Sequence, residues 1–313
     1  MSTSIEAIKN DVISTENKLV NQLNFTEEEL ENFKRDGFIR IKGLFTEKGI
    51  AGIRQQVEDW IATDEVNNDG TISRFTCRRN EGPFLNKVLN HAEFRHLMTQ
   101  LTDRKLIFTE AQSFELSKGG VGLPWHYAYI GMGYTRPADL GYTLWTPLQA
   151  INAKQTGGGM AYVPENIHSA RYGFDLGSLL APQYNKDPES MEEHLKILEE
   201  NHKALIPFLE KNRIEDDFEV GDSFIFNKYI WHRSAPFLSE SKTRRLGLAL
   251  RFVDWNSRKE AVRWKAEYDF GGGLITGQKK YVYGGGGEDR YARFTDTPHG
   301  EEIKFSKEAK LII

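Results

Sequence analysis

The chain has 313 residues, of which 39% are hydrophobic and 12% aromatic, so it is long enough to bury one large core or two smaller ones. Its 41 basic and 45 acidic side chains give a formal net charge of -4, and no long basic run appears, which argues against nucleic acid as a partner. A single cysteine, Cys77, excludes an internal disulfide and a cysteine-rich zinc site.

The first residues, MSTSIEAIKNDVISTENK, lack the apolar run of a secretory signal. No window elsewhere reaches the roughly 18 apolar residues that a membrane span needs. The expectation from the sequence is therefore a cytoplasmic protein with no membrane partner.

Residues 1–104 are predicted to be mainly helical. Thr26 stands three residues before Glu29, which is the spacing of a capping box, and an alternating strand follows around residues 38–42. A second helix is predicted over residues 46–63 and a third over residues 84–101. The apolar face of the second helix consists of Ile50, Ile53, Val57, Trp60 and Ile61.

Residues 105–258 are predicted to form a β core. Short apolar or alternating runs such as KLIFTEAQSFEL, GYTLWTPL, DSFIFNKYIWH and RRLGLALRFVDW are bounded by Gly, Pro and Asp, as strands are. A charged helical insertion, residues 185–217, interrupts this core and is a candidate lid, although a decorative helix has the same pattern.

Residues 259–313 form a C-terminal extension. Its glycine clusters, FGGGL and YGGGGEDR, lack the Gly-Lys-Ser/Thr ending of a phosphate-binding loop and are interpreted as loops. No internal repeat divides the chain, so residues 1–313 are predicted to be one mainly β domain with flanking helices.

Two of the eight histidines differ from the others in context. His126 follows GGVGLPW at the head of a predicted strand, and His232 ends the aromatic strand DSFIFNKYIWH. Either one alone would more often be a hydrogen-bonded core residue than a metal ligand. The other six lie in polar, helical or loop contexts that favour solvated side chains: His91, His96, His168, His194, His202 and His299.

Two arginines on the last predicted core strand strengthen the case for a site. Arg245 and Arg251 are an even number of residues apart, so they lie on one face of the strand. A buried guanidinium requires an anion. A dicarboxylic co-substrate would supply one through bidentate hydrogen bonds, and an internal salt bridge to Asp or Glu would serve equally well.

Three blocks together carry a family resemblance: LWTPLQAINAKQTGGGMAYVPENIHS, VGDSFIFNKYIWHRSAP and RRLGLALRFVDW. Over roughly residues 24–260 the chain resembles the phytanoyl-CoA dioxygenase-like branch of the non-haem iron, 2-oxoglutarate-dependent oxygenases. The resemblance implies a double-stranded β-helix, which is a cupin-like jelly roll. It also implies that His126 and His232 bind Fe(II), and that Arg245 binds the distal carboxylate of 2-oxoglutarate.

Ala128 departs from the family pattern, because the third ligand there is normally a carboxylate in a His-x-Asp/Glu motif. In the iron halogenases of the family Ala or Gly stands at this position and chloride takes the vacated place. The resemblance thus implies a halogenase that uses Fe(II), 2-oxoglutarate, O2 and chloride. A hydroxylase or desaturase, an inactive relative, and an engineered Asp-to-Ala change are the alternatives.

The remaining site hypotheses concern side chains near the predicted ligands. Trp145, Gln112 and Ser113 are expected to assist co-substrate binding, and Arg251 is expected to join Ala128 in an anion pocket. Tyr127 and Tyr129 are expected to line the substrate pocket, although aromatic side chains more often pack in a core. The substrate is expected to be a small molecule, either free or presented on an acyl or peptidyl carrier protein.

Overall fold

A computed structural model describes residues 18–63, 74–78, 82–120, 122–184, 200, 204–238, 244–260, 266–269, 280–283, 293–311 and 313. The helices are α1 (Glu27–Asp36), α2 (Glu47–Thr63), α3 (Pro83–Leu89), α4 (Ala92–Thr102), α5 (Tyr129–Met132), α6 (Arg171–Tyr184) and α7 (204–212). The strands are β1 (Phe38–Ile41), β2 (Arg74–Arg78), β3 (Leu106–Ser117), β4 (Gly141–Pro147), β5 (Met160–Val163), β6 (Ile214–Glu215), β7 (Ser223–Asn227), β8 (Trp231–Ser234), β9 (Arg244–Asp254), β10 (Ala266–Asp269) and β11 (Lys280–Tyr283).

Two antiparallel sheets form the core. The larger sheet has the strand order β1-β7-β4-β9-β3-β2, and the smaller one has the order β6-β5-β8. Apolar side chains from both sheets meet in one buried cluster that includes Trp145 and Phe226 from the larger sheet and Met160 and Tyr162 from the smaller one. The fold is a double-stranded β-helix, as predicted, and the space between the two sheets is where a site can form.

The N-terminal helices pack on the other face of the larger sheet. The capping box of α1 is present, since Thr26 Oγ1 accepts from the Glu29 N–H and the Glu29 carboxylate accepts from the Thr26 N–H. The predicted apolar face of α2 is buried against side chains of β3, β4 and β9. Among the described residues no helix is long and apolar enough to cross a bilayer.

The helix predicted over residues 84–101 is two helices, α3 and α4. His91 separates them because its Nδ1 accepts a hydrogen bond from the Glu93 N–H at 3.3 Å and so caps the start of α4. The sequence pattern missed this break because the apolar spacing continues through it, from Leu89 to Phe94.

The strand predicted to end at His232 is also divided. β7 belongs to the larger sheet and β8 to the smaller one, and a tight corner over residues 228–230 joins them. The Asn227 side chain accepts from the Tyr229 N–H at 3.0 Å, which is the hydrogen bond of an Asx turn. The corner therefore moves His232 from one sheet to the other.

The strand predicted to begin at His126 is a single β-bridge. His126 pairs with His232 of β8, and α5 begins three residues later at Tyr129. The carbonyl of Ala128 accepts a hydrogen bond from the Met132 N–H of this short helix at 2.8 Å. Ala128 thus lies where the bridge ends and the helix begins.

The insertion predicted to be helical over residues 185–217 is helical only in part. Residues 204–212 form α7, but residues 214–215 form β6, which pairs with β5 at the edge of the smaller sheet. Residues 185–199 and 201–203 lie outside the described residues. A helix preceding the insertion, α6, was not predicted.

The C-terminal extension returns to the core. The Leu106 N–H donates to the Ile313 carbonyl at 2.9 Å, and the Phe108 N–H donates to the Leu311 carbonyl at 3.0 Å. β10 and β11 pair antiparallel, and neither strand was predicted. The glycines of the two predicted loops lie outside the described residues.

Candidate metal centre and co-substrate pocket

A cavity between the two sheets brings most of the predicted site residues together. His126 and His232 lie on the side of the smaller sheet, and Arg245 and Arg251 lie on β9 of the larger one. The rest of its wall includes Phe114, Leu123, Ala128, Thr143, Trp145, Met160, Phe226, Arg233 and Ala249. These residues come from segments far apart in the chain, and only the fold makes them neighbours.

His126 and His232 are held side by side by their backbones. Each N–H donates to the other residue's carbonyl at 2.9 Å, and the ring centroids are 4.1 Å apart. Each ring also contacts a nearby backbone carbonyl through Nδ1, at 2.7 Å from Pro124 O and 2.9 Å from Ile230 O. Because a carbonyl oxygen only accepts, Nδ1 carries the proton in both rings, and each Nε2 keeps its lone pair for a metal.

Both imidazoles are neutral. Burial lowers the pKa of His126 to about 4, and burial with the neighbouring His126 lowers the pKa of His232 well below its ordinary value. Arg251 contributes to both shifts through its positive charge. The neutral form is the one that binds metal ions, and a Nδ1–H bond to a carbonyl is the usual way to orient a histidine ligand.

No carboxylate completes a facial triad in the described part of the chain. These residues contain no group of three or more His, Cys, Asp or Glu side chains placed to hold a metal ion. Ala128 lines the cavity in the position two residues after His126, and only 4% of its surface is exposed. Its methyl group is in contact distance of apolar neighbours of α5 and β9, with which it forms a buried cluster.

Arg245 is a buried cation without a protein anion. It is 3% exposed, its Nε has no hydrogen-bond partner, and no carboxylate of the described chain lies within ion-pair distance. Burial lowers the pKa of this guanidinium to about 10, as expected of a charge removed from water. Its Cζ lies 5.8 Å from the ring centroid of Trp145.

Glycine at position 247 makes room for this guanidinium. A Cβ atom there would lie 3.1 Å from Arg245 Nη1 and 3.1 Å from Trp145 Nε1. Gly247 lies on the same face of β9 as Arg245. Because it has no side chain, it leaves room for the planar guanidinium of Arg245 beside the Trp145 ring. The strand is thus shaped around a guanidinium that faces the cavity.

Arg251 differs from Arg245 because it has an internal partner. Its Nη1 lies 2.7 Å from an oxygen of Glu110 on β3, a carboxylate that is only 1% exposed. The same carboxylate pairs with Arg293 of the C-terminal extension. The salt bridge that the sequence left open as an alternative therefore exists at Arg251, and the described residues contain none at Arg245.

Gln112 and Ser113, which were predicted to assist co-substrate binding, are not among the residues that line the cavity. Gln112 is on the cavity side of β3 and donates from Nε2 to Glu110 at 2.9 Å, so it supports the salt bridge. Ser113, being the next residue, points to the opposite face of the sheet. The prediction for Ser113 is corrected for this reason, since adjacent strand residues cannot share a face. Trp145 does line the cavity.

Of the two tyrosines predicted to line the substrate pocket, Tyr127 packs elsewhere. Tyr127 alternates with His126 and Ala128, so its ring turns away from the cavity and packs against Trp231, with centroids 4.8 Å apart, and Phe174, at 5.7 Å. That prediction is corrected to the packing role. The side chains of Tyr129 and of Cys77 lie outside the described residues.

The residues present fit Fe(II) and 2-oxoglutarate. Two neutral imidazoles offer adjacent nitrogen ligands. The buried guanidinium of Arg245 faces the same cavity with no anionic partner in the described part of the chain, and a dicarboxylate would supply that charge. The sequence did not single out Glu110, Arg233 and Arg293, because an isolated charged residue in a sequence is most often a solvated surface residue.

The comparisons with known proteins agree with this fold. A model of the phytanoyl-CoA dioxygenase family matches residues 33–246. The chain is similar to the solved structure of SnoK, a non-haem α-ketoglutarate-dependent carbocyclase from nogalamycin biosynthesis, with 14% identity, a TM-score of 0.56, and coverage of 82% of this chain and 93% of that one.

Two further structures show the same fold. The epimerase SnoN from nogalamycin biosynthesis is 15% identical with a TM-score of 0.54, covering 75% of this chain and 84% of that one. HygX from Streptomyces hygroscopicus, solved with nickel and 2-oxoglutarate bound, is 15% identical with a TM-score of 0.52, covering 79% and 93%. No curated protein sequence matches the chain.

The family model spans more than half of the chain, and the paired histidines and the buried arginine lie inside or at the edge of the matched region. The chain therefore belongs to the phytanoyl-CoA dioxygenase family of iron- and 2-oxoglutarate-dependent oxygenases.

Proposed function

We propose that this protein is an Fe(II)- and 2-oxoglutarate-dependent halogenase that chlorinates an unactivated carbon of a small molecule. The observation that carries the proposal is Ala128, which lines the cavity beside His126 and His232 where the family has a carboxylate ligand. When bound, Fe(II) with 2-oxoglutarate, O2 and chloride supplies the oxidising chemistry that replaces C–H by C–Cl.

The protein's own residues bind and orient the reactants. Nε2 of His126 and Nε2 of His232 provide two neutral ligands, which leaves the metal charge to be balanced by anions. Arg245 is suited to the distal carboxylate of 2-oxoglutarate because its fork can donate two parallel hydrogen bonds. The ring of Trp145 packs beside that guanidinium and restricts where the carboxylate can lie.

Ala128 supports chloride for steric and electrostatic reasons. A methyl group leaves open the place that an Asp or Glu would fill, and it brings no negative charge of its own. Arg251 lines the same cavity, and its positive charge contributes to the lowered pKa of both histidines. Glu110 is the buried carboxylate behind Arg251, and it is neutralised by two arginines.

The substrate class is proposed to be a natural-product intermediate, either free or held on an acyl or peptidyl carrier protein. The names of SnoN and SnoK place those two enzymes in nogalamycin biosynthesis, which supports such a substrate. Their names also report epimerisation and carbocycle formation. The fold accommodates several oxidative outcomes, so the proposal depends on Ala128 and not on the fold.

The deciding experiment compares Ala128→Asp with Ala128→Gly. Candidate substrates are incubated with Fe(II), 2-oxoglutarate, O2 and chloride, and the products are identified by mass spectrometry. The wild type and Ala128→Gly should give chlorinated product, and Ala128→Asp should give hydroxylated product or none. Chloride should also shift the visible absorption of the wild-type Fe(II) and 2-oxoglutarate complex. Only hydroxylated product from the wild type at saturating chloride would replace the proposal by a hydroxylase.

A further inference from the structure

The carboxylate of Glu210 joins helix α7 to both segments that carry the histidines. Its Oε1 accepts from Trp125 Nε1–H at 2.7 Å and from Arg233 Nε–H at 2.9 Å, and its Oε2 accepts from Arg233 Nη2–H at 3.1 Å. Trp125 precedes His126, and Arg233 follows His232. One side chain thus binds the neighbour of each predicted metal ligand.

The two partners of Glu210 are largely buried, whereas the Glu210 side chain itself is 37% exposed. Trp125 is 1% exposed, and the Arg233 side chain is 14% exposed and lies 5.3 Å from the Trp125 ring centroid. Leu209, next to Glu210 on α7, is fully buried in a cluster with Trp125 and Trp231. The helix is therefore fixed to the histidine segments by apolar packing as well as by charge-assisted hydrogen bonds.

The connection also reaches the cavity. Arg233 lines the cavity wall, and its Nη2 donates to Glu215 of β6 as well as to Glu210. A displacement of α7 would move Arg233 through its hydrogen bonds to Glu210. It would thereby shift the backbone of β8, which carries His232. The bidentate pair with Glu210 transmits such a movement better than a single hydrogen bond, because its geometry fixes orientation as well as distance.

We propose that Glu210 is a positioning residue that couples helix α7 to the metal centre. The inference rests on the two-histidine metal centre of the proposed function and is independent of whether the product is chlorinated or hydroxylated. Because Glu210 ties α7 to the neighbours of both histidines, an α7 held in place would fix the orientation of His126 and His232. By thermodynamic reciprocity, metal binding to the two rings would order α7.

The test uses two variants and a matched control in the full-length chain. Glu210→Gln places an N–H group toward Arg233 and removes the charge. Trp125→Phe keeps an aromatic ring, smaller than indole, while removing the N–H donor. Arg213→Gln is the control, because Arg213 pairs with Glu210 at 3.2 Å but touches neither Trp125 nor Arg233 in any described contact. Fe(II) affinity is measured anaerobically by calorimetry, and amide hydrogen exchange is followed over residues 204–212.

Both test variants should bind Fe(II) more weakly, on the order of 10-fold, as is typical when a residue that orients a metal ligand is lost. Fe(II) should slow exchange over residues 204–212 in the wild type and in Arg213→Gln, but not in Glu210→Gln. A purely structural role would lower stability without removing this metal-dependent protection. Wild-type Fe(II) affinity and protection in Glu210→Gln would overturn the proposal.

The result also separates this inference from the proposed function. A wild-type protein that binds no Fe(II) would overturn the metal centre and the coupling together. Coupling that persists in a protein that only hydroxylates would overturn halogenation and support the role of Glu210.

Discussion

At the scale of single residues, Arg245 and Arg251 show how position decides the role of a charge. They lie on the same face of β9, and both line the cavity. Arg251 has the buried carboxylate of Glu110 at 2.7 Å, whereas Arg245 has no protein anion within ion-pair distance in the described chain. The folded protein therefore tolerates a buried guanidinium at Arg245 at a cost that a bound dicarboxylate would offset.

Arg245→Lys should weaken 2-oxoglutarate binding by roughly 10-fold to 100-fold, equivalent to about 1.5–3 kcal/mol, because a point ammonium cannot reproduce the two parallel hydrogen bonds. Arg251→Lys is the matched control on the same strand and should change the affinity less. Binding is measured anaerobically with Fe(II) present, from the visible absorption of the complex. Equal losses in the two variants would argue against a specific role for Arg245.

The metal assignment is tested by removing each ring. His126→Ala and His232→Ala should each abolish stoichiometric Fe(II) binding, because neither leaves two imidazoles at the cavity. His299→Ala is the control, since the His299 side chain is 62% exposed and its described ion-pair contact is Glu260. Metal content after anaerobic loading and desalting is the measurement. Full iron content in either cavity variant would show that the histidines are not the ligands.

At the scale of elements, the corner between β7 and β8 decides where His232 lies. Asn227 fixes this corner, since its Oδ1 accepts from the Tyr229 N–H and its Nδ2 donates to Glu165. Asn227→Ala should lower the free energy of unfolding by about 1–3 kcal/mol, because it leaves buried polar groups without partners. It should also weaken Fe(II) binding, because β8 is no longer held in register with His126.

Asn212→Ala is the control for that change. Its Nδ2 donates to the Phe208 carbonyl in an exposed position, and its loss should change neither Fe(II) binding nor stability by more than about 0.5 kcal/mol. Urea unfolding and Fe(II) titration are run on both variants. An Asn227→Ala protein with wild-type Fe(II) affinity would show that the corner does not control the ligand geometry.

The elements also show what the sequence could and could not predict. Spacings of about 3.6 and 2 residues predicted α2, β3 and β9, because one buried face imposes a period on the chain. The same method joined β7 to β8, since the corner at residues 228–230 is buried and contains no Gly or Pro to mark a turn. The partners of Glu110 and Glu210 could not be predicted, because they come from strands and helices far away in the sequence.

At the scale of the whole molecule, ion pairs behind the cavity join the start of the β core to its last strand and to the C-terminal extension. Glu110 near the start of the core pairs with Arg251 near its end and with Arg293 from the C-terminal extension. The buried carboxylate of Glu110 is thus paired with two arginines. The extension, treated in the sequence as an addition to the core, contributes to the charge arrangement behind the cavity.

A second buried cation, Lys228, lies in the corner between β7 and β8 and should make the stability of the molecule depend on pH. Lys228 is fully buried, with its Nζ 3.1 Å from Thr135 Oγ1, 2.8 Å from the Arg136 carbonyl and 4.4 Å from the ring centroid of Phe174. Burial lowers the pKa of Lys228 to about 7, although the nearby Asp139 acts in the other direction. The Lys228 carbonyl accepts from the Ala128 N–H, so this lysine also supports the site.

Because the pKa of Lys228 is lower in the folded protein than its ordinary value near 10.5, the unfolded chain binds more protons between about pH 7 and pH 10.5. The contribution of Lys228 to the free energy of unfolding must therefore rise with pH across that window and be constant below it. The total rise over the window is roughly 3–5 kcal/mol. Lys228→Met should remove this slope, so that its urea midpoint relative to the wild type falls as the pH is raised from 7 to 10.

Lys34→Met, at a lysine side chain that is 63% exposed, is the control and should follow the wild type at every pH. Parallel curves for the wild type and Lys228→Met would mean that the lysine is not buried as a charge, and that the packing around Thr135 and Phe174 admits water.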